Sequence, residues 1–179
     1  MLLQDSRRAA RLDARGELVT LEEQDRSLWD RDQITEGRAL AEESLRRGGA
    51  GFYALQAAIA ALHAQATRAE ETDWPQIAAL YALLLRLHPS PVVALNHAAA
   101  VAMGERLDRG LRLIEQIEKS GELQTYHLLP AAKADILRRL GRPVEAAAAY
   151  ERALQLVTQG AERRYLERRL REVRRRSPY

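Results

Sequence analysis

Residues 127–160 read HLLPAAKADILRRLGRPVEAAAAYERALQLVTQG, and this stretch decides the fold. Two segments of good helix formers flank Gly141-Arg142-Pro143. Small residues at Ala134, Ala146 and Ala153 let two helices cross closely. Leu137 and Tyr150 fill the space between them, and Gly141 makes the turn. The unit reads as a pair of antiparallel helices joined by a short connection.

Working back from it, Ala98, Val101, Gly110, Ile114 and Ile117 form a weaker unit. Gly110 lies 36 residues before Ala146, near the period of about 34 of a tetratricopeptide repeat. A pair over 52–87 is a third, degenerate unit. Tyr81 and Pro89 suit it, but the loop 68–72 is too long. The segment 161–175 carries an apolar stripe of Leu166, Leu170 and Val173, and is predicted to cap the stack with its arginines in solvent. The expected fold is all-α: antiparallel helix pairs stacked as a tetratricopeptide-like right-handed array, after a non-repeat N-terminal segment. The boundary is placed between 1–50 and 51–179.

The remaining elements follow from local signals. Residues 2–12 read as a short helix, 13–16 as a turn and 17–21 as briefly extended. A long helix is predicted over 25–47, with Leu28, Trp29, Ile34, Leu40 and Leu45 as its apolar face. The glycines at 48, 49 and 51 end it. Further helices are predicted at 52–67 and from Pro75 to Leu87, the latter capped by Asp73. Four more follow: one from Ser90, as cap, to Met103, then 107–119, 124–140 and 143–157.

Composition agrees with helices. Among 179 residues 46% are hydrophobic and 30% charged, and there is no cysteine. That excludes disulfides, thiolate metal sites and a cysteine nucleophile. No signal peptide or membrane span is legible, so a cytoplasmic location is expected. The net charge is +3, but it is unevenly placed. Between 162 and 176 eight arginines face three glutamates, giving +5 there and leaving −2 elsewhere. This tail has two readings: a nucleic-acid or acidic-protein contact, or a solvated helix face with Glu/Arg pairs at helical spacing.

Catalytic patterns are missing. His63, His88, His97 and His127 show no HExxH spacing, and there is no GxSxG, P-loop or GxGxxG motif. Neither an enzyme nor a metal or cofactor site is expected. Around Trp29 stand Asp5, Arg7, Arg8, Arg11, Asp13, Asp25, Arg26, Asp30 and Arg31. Either they form an internal salt-bridge knot that fixes the N-terminal segment, or they form a docking surface.

Several stretches, in order, resemble one family: MLLQDSRRAAR (1–11), LEEQDRSLWD (21–30), QAAIAALHA (56–64), TDWPQI (72–77), SPVVALN (90–96) and YHLL (126–129). They are similar to the C-terminal extension of a group of bacterial extracytoplasmic-function RNA polymerase sigma factors. The resemblance covers nearly the whole chain. It implies a regulatory domain that contacts the sigma core regions, RNA polymerase or a regulator. DNA would be touched only through sigma regions that lie outside this sequence, and Met1 falls inside a family helix. The alternative is a free-standing tetratricopeptide adaptor. In either case Gln56, His63, Asn96, His97, Tyr126 and His127 are the expected polar residues of a partner groove. Asp25, Arg26 and Trp29 are expected to hold the N-terminal segment in place.

Overall fold

A computed structural model describes residues 2–48, 51–104, 106–158 and 160–176. The helices are α1 (Leu2–Asp5), α2 (Arg31–Gly48), α3 (Phe52–Gln65), α4 (Trp74–Leu87), α5 (Pro91–Met103), α6 (Leu107–Ser120), α7 (Leu128–Arg139), α8 (Pro143–Leu156) and α9 (Gly160–Arg176). Short 3-10 turns cover Arg8–Ala10, Arg26–Leu28 and Ala69–Glu71. Among the described residues, strand-like pairing is limited to one isolated bridge between Leu12 and Leu18. The all-α expectation holds. The contacts divide the chain into two compact units, Met1–Pro89 and Ser90–Tyr179.

In the N-terminal unit α2 packs on α3, α3 on α4, and α1 on both α2 and α3. One core cluster gathers Leu3, Ala10, Trp29, Ile34 and Ala64, and Leu55, Ile59, Ile77 and Leu84 are buried as well. This grouping differs from the boundary set at residue 50, because α3 buries Ala54, Leu55 and Ile59 within the first unit.

Three local expectations change here. The helix expected over 2–12 is cut at Asp5. The Ser6 carbonyl accepts from Asp30 N–H at 2.9 Å instead of continuing the helix. The helix expected from Asp25 begins at Arg31. Asp25 caps only the 3-10 turn, by accepting from Ser27 N–H. Asp30 Oδ1 accepts from the N–H groups of Asp32 and Gln33 at 3.1 and 3.0 Å, and so starts the true helix. Leu28 and Leu40, assigned to an apolar face, are 53% and 56% exposed. Asp73 does cap α4, accepting from Gln76 N–H at 2.9 Å.

The C-terminal unit is a run of helix pairs. α5 packs on α6, α6 on α7, α7 on α8 and α8 on α9, and α5 also touches α7. Gly110 explains the closeness of the first pair. A Cβ there would meet Ala102 Cβ at 2.5 Å and the Ala98 carbonyl oxygen at 2.9 Å. Gly121 and Gly141 end α6 and α7 with φ of 75° and 70°, the left-handed region that glycine adopts without strain.

Burial repeats at a spacing of 36 residues. Ala98 and Ala134 are both fully buried, Gly110 and Ala146 are both buried, and Ile114 and Tyr150 both fill the core. One boundary moves, and one expected cap lacks its side-chain bond. The helix expected from 124 begins at Leu128, because Leu123–Tyr126 forms a turn closed by Tyr126 N–H to the Leu123 carbonyl. Ser90 stands at the N-cap position of α5 without a side-chain cap bond.

Candidate functional site

The N-terminal unit is fastened by a buried cation. Arg26 is 6% exposed. Its Nη1 donates to the carbonyls of His63 and Ala66 at 3.1 and 2.6 Å, and its Nη2 to Thr72 Oγ1 at 3.3 Å. Those carbonyls sit at the C-terminal end of α3, where backbone acceptors lack helical partners and the dipole is negative. The guanidinium also lies 4.7 Å from the ring centroid of Trp29, and that of Arg7 lies 5.8 Å from it. Trp29 itself is 2% exposed.

His63 completes the cluster by meeting Trp74 edge to face at 5.1 Å. Burial, then the charges of Arg7 and Arg26, push the imidazole down to about 4. Burial lowers Arg26 as well, while Glu70 and Glu71 oppose the shift. Arg7 is lowered by burial and by Arg11 and Arg26. The arrangement is therefore a cation held by carbonyls and an aromatic face. It joins residues 26–29 to the end of α3 and the start of α4.

The charged residues expected around Trp29 divide. Arg26 and Trp29 lie inside. Asp5 and Arg8 form a surface ion pair at 2.6 Å, of the exposed kind that contributes little. Arg11 Nη2 donates to the Gln4 carbonyl at 2.5 Å on the surface. Asp25 is exposed, and the hydrogen bonds from Ser27 hold its carboxyl below the usual range. Thr72 and Trp74, marked in the sequence only as part of the stretch 72–77, are latch residues. Nothing in local spacing marks a contact between residues 46 positions apart.

The residues expected in a groove are likewise distributed. Gln56 lines a groove of about 600 Å³ in the N-terminal unit, with Leu3, Gly37, Leu40 and Tyr53. His63 belongs to the latch. In the C-terminal unit Asn96 is exposed and His97 half-buried. Burial, then Arg109, lowers His97. Tyr126 and His127 are brought together, with ring centroids 5.9 Å apart. His127 Nε2 lies 3.0 Å from Glu162 Oε2, which links the start of α7 to the first turn of α9. That link was not read from the sequence, where Glu162 counts only as part of the charged tail.

Two further charge groups shape the C-terminal unit. On α7, burial alone would raise Asp135, but Arg139 and Arg138 hold it below the usual range. Asp135 binds both at 2.7 and 2.5 Å. On α9, Arg168 and Arg169 pair with Glu172, and Arg174 pairs across to Glu151 on α8. Among the described residues no group of three His, Asp or Glu side chains is placed to hold a metal ion. No helix among them is long and apolar enough to cross a membrane.

The fold and these contacts define an all-helical protein of packed helix pairs with a latched N-terminal segment. Residues 1–45 match a family of unknown function, DUF6596. That stretch holds Arg7, Arg26 and Trp29 of the latch. An uncharacterized protein of Rhizobium meliloti (strain 1021) is 45% identical over 170 residues, which make up 95% of this chain and 40% of that protein. The chain thus spans about two-fifths of the curated relative it matches. No solved structure matches.

Proposed function

We propose that this chain is a regulatory protein-interaction module of an RNA polymerase sigma factor, and that its C-terminal unit is a tetratricopeptide-like right-handed array. The observation that carries the array is the recurrence of buried positions 36 residues apart: Ala98 and Ala134, Gly110 and Ala146, Ile114 and Tyr150. Helix pairs in such arrays bury a common core and leave an extended face for a partner. The sigma-factor part rests on the six ordered stretches that resemble the family's C-terminal extension. The Rhizobium protein, of which the matched region is 40%, fits a module carried in a longer polypeptide.

The module works by contact rather than catalysis, in the cytoplasm. Its partners are the sigma core regions or the polymerase. DNA is reached only through the sigma regions. The test is a titration of the fluorescently labelled chain with an extracytoplasmic-function sigma core and with core RNA polymerase, each alone. Saturable binding at about 10 µM or tighter to either is expected. Indifference to both at that concentration, with the chain folded, overturns the sigma-factor reading and leaves the free-standing adaptor.

A further inference from the structure

Beyond the latch and the histidines lies an edge between α8 and α9 that no helix among the described residues covers. A groove of about 700 Å³ opens there. Its floor is apolar: Val144, Ala147 and Ala148, at helical spacing on α8. Val144 is 71% exposed, which leaves a large branched side chain in water. The wall is basic. Arg174 and Arg175 of α9 line it, and the Arg174–Glu151 pair bridges the two helices. Arg171 and Arg175 are exposed on successive turns of α9 and make no ion pair among the described residues. They stand in a segment that carries +5.

We propose that this edge docks an acidic amphipathic helix of a partner polypeptide; the proposal rests on the interaction reading above and names the partner's chemistry. An apolar stripe would cover Val144, Ala147 and Ala148, while glutamate or aspartate on its flank would meet Arg171 and Arg175. A helix placed there would pack against both α8 and α9, which already pack on each other. The groove suits nucleic acid less well, since among the described residues no aromatic side chain lines it for base stacking. The aromatic of α9, Tyr165, is covered by Arg168 and Arg169, 5.4 and 5.3 Å from its ring centroid.

The probe is a labelled peptide of about 18 residues, with leucines along one helical face and glutamates on its flanks, titrated with the whole chain. Binding is expected that weakens roughly tenfold or more in Val144→Asp, in Ala148→Glu, and in the double change Arg171→Glu with Arg175→Glu. All four positions are exposed, so the thermal midpoint of each variant should match the parent. A peptide with lysines in place of the glutamates should not bind. Unchanged affinity in both Val144→Asp and Ala148→Glu overturns the proposal. So does equal binding of the lysine peptide. A DNA or RNA duplex that displaces the peptide and ignores Val144→Asp reassigns the basic wall to nucleic acid.

The same variants separate this proposal from the functional reading. Sigma-core or polymerase binding that survives them, beside lost peptide binding, places that partner on another surface. Peptide binding without any sigma or polymerase binding overturns the sigma reading alone.

Discussion

The two units solve the same problem in different ways. The C-terminal unit joins its helices through small residues and large apolar fillers repeated at one spacing, and Ala98, Ala134, Ala146 and Ala153 are all fully buried. The N-terminal unit has a smaller apolar core, with Leu55, Ile59, Ile77 and Leu84 buried in its helices. Its irregular segment 6–30 is held by Arg26, Trp29 and the end of α3. Repetition supplies many weak, interchangeable contacts. A latch concentrates stability in a few side chains that no neighbour can replace. The first design should tolerate single changes; the second should not.

The largest break in that contrast should come from Trp29→Ala. Removing a ring that is 2% exposed should cost about 3–5 kcal/mol. It also strips the aromatic face from two guanidiniums. Hydrogen exchange resolved along the chain should show protection falling within 2–87 and staying close to the parent's within 91–158. Equal loss in both would show that the units do not open separately.

A somewhat smaller effect should come from acid. His63 is held at about 4 in the folded chain, against about 6.5 when unfolded. The unfolded chain therefore takes up the proton first. Stability should be steady above pH 6.5 and should fall as the pH drops from there towards 4, by at most about 3 kcal/mol. His63→Gln should flatten that slope when unfolding is followed in denaturant at several pH values. An unchanged slope would assign the acid sensitivity elsewhere, His97 being the other histidine lowered by burial.

The smallest of the three tests the repeat itself. Gly110→Ala should cost about 1–3 kcal/mol by overpacking α5 against α6, because the added Cβ meets Ala102 and the Ala98 carbonyl. The loss should appear as reduced exchange protection in 91–120. A neutral outcome would mean that the first helix pair can spread, and that its register with the second is loose.

Legibility follows the same division. The helix pair at 128–156 was readable because helix periodicity, a left-handed glycine at 141 and small residues at crossing points are all local signals. The boundaries that moved in the N-terminal unit did so through a side chain or carbonyl whose partner helix periodicity does not mark. Asp30 rather than Asp25 starts α2, and the Ser6 carbonyl is taken by Asp30 N–H. The groove residues were the least legible. Gln56, His63 and the pair Tyr126–His127 lie in three different surroundings, since a polar residue on a helix carries no mark of the helix it faces.

The sequence by itself determined that the chain is helical, where most helices lie, that 127–160 is a paired unit and that the positive charge belongs to the last helix. These follow from propensity, periodicity and capping, which act within a few residues. Only the tertiary structure decided that Arg26 sits inside against the carbonyls of His63 and Ala66, that 52–87 belongs with the N-terminal segment, and that Val144 and Arg175 share an open edge. Those facts join residues tens of positions apart, and burial and electrostatics between distant segments leave no periodic trace in the chain.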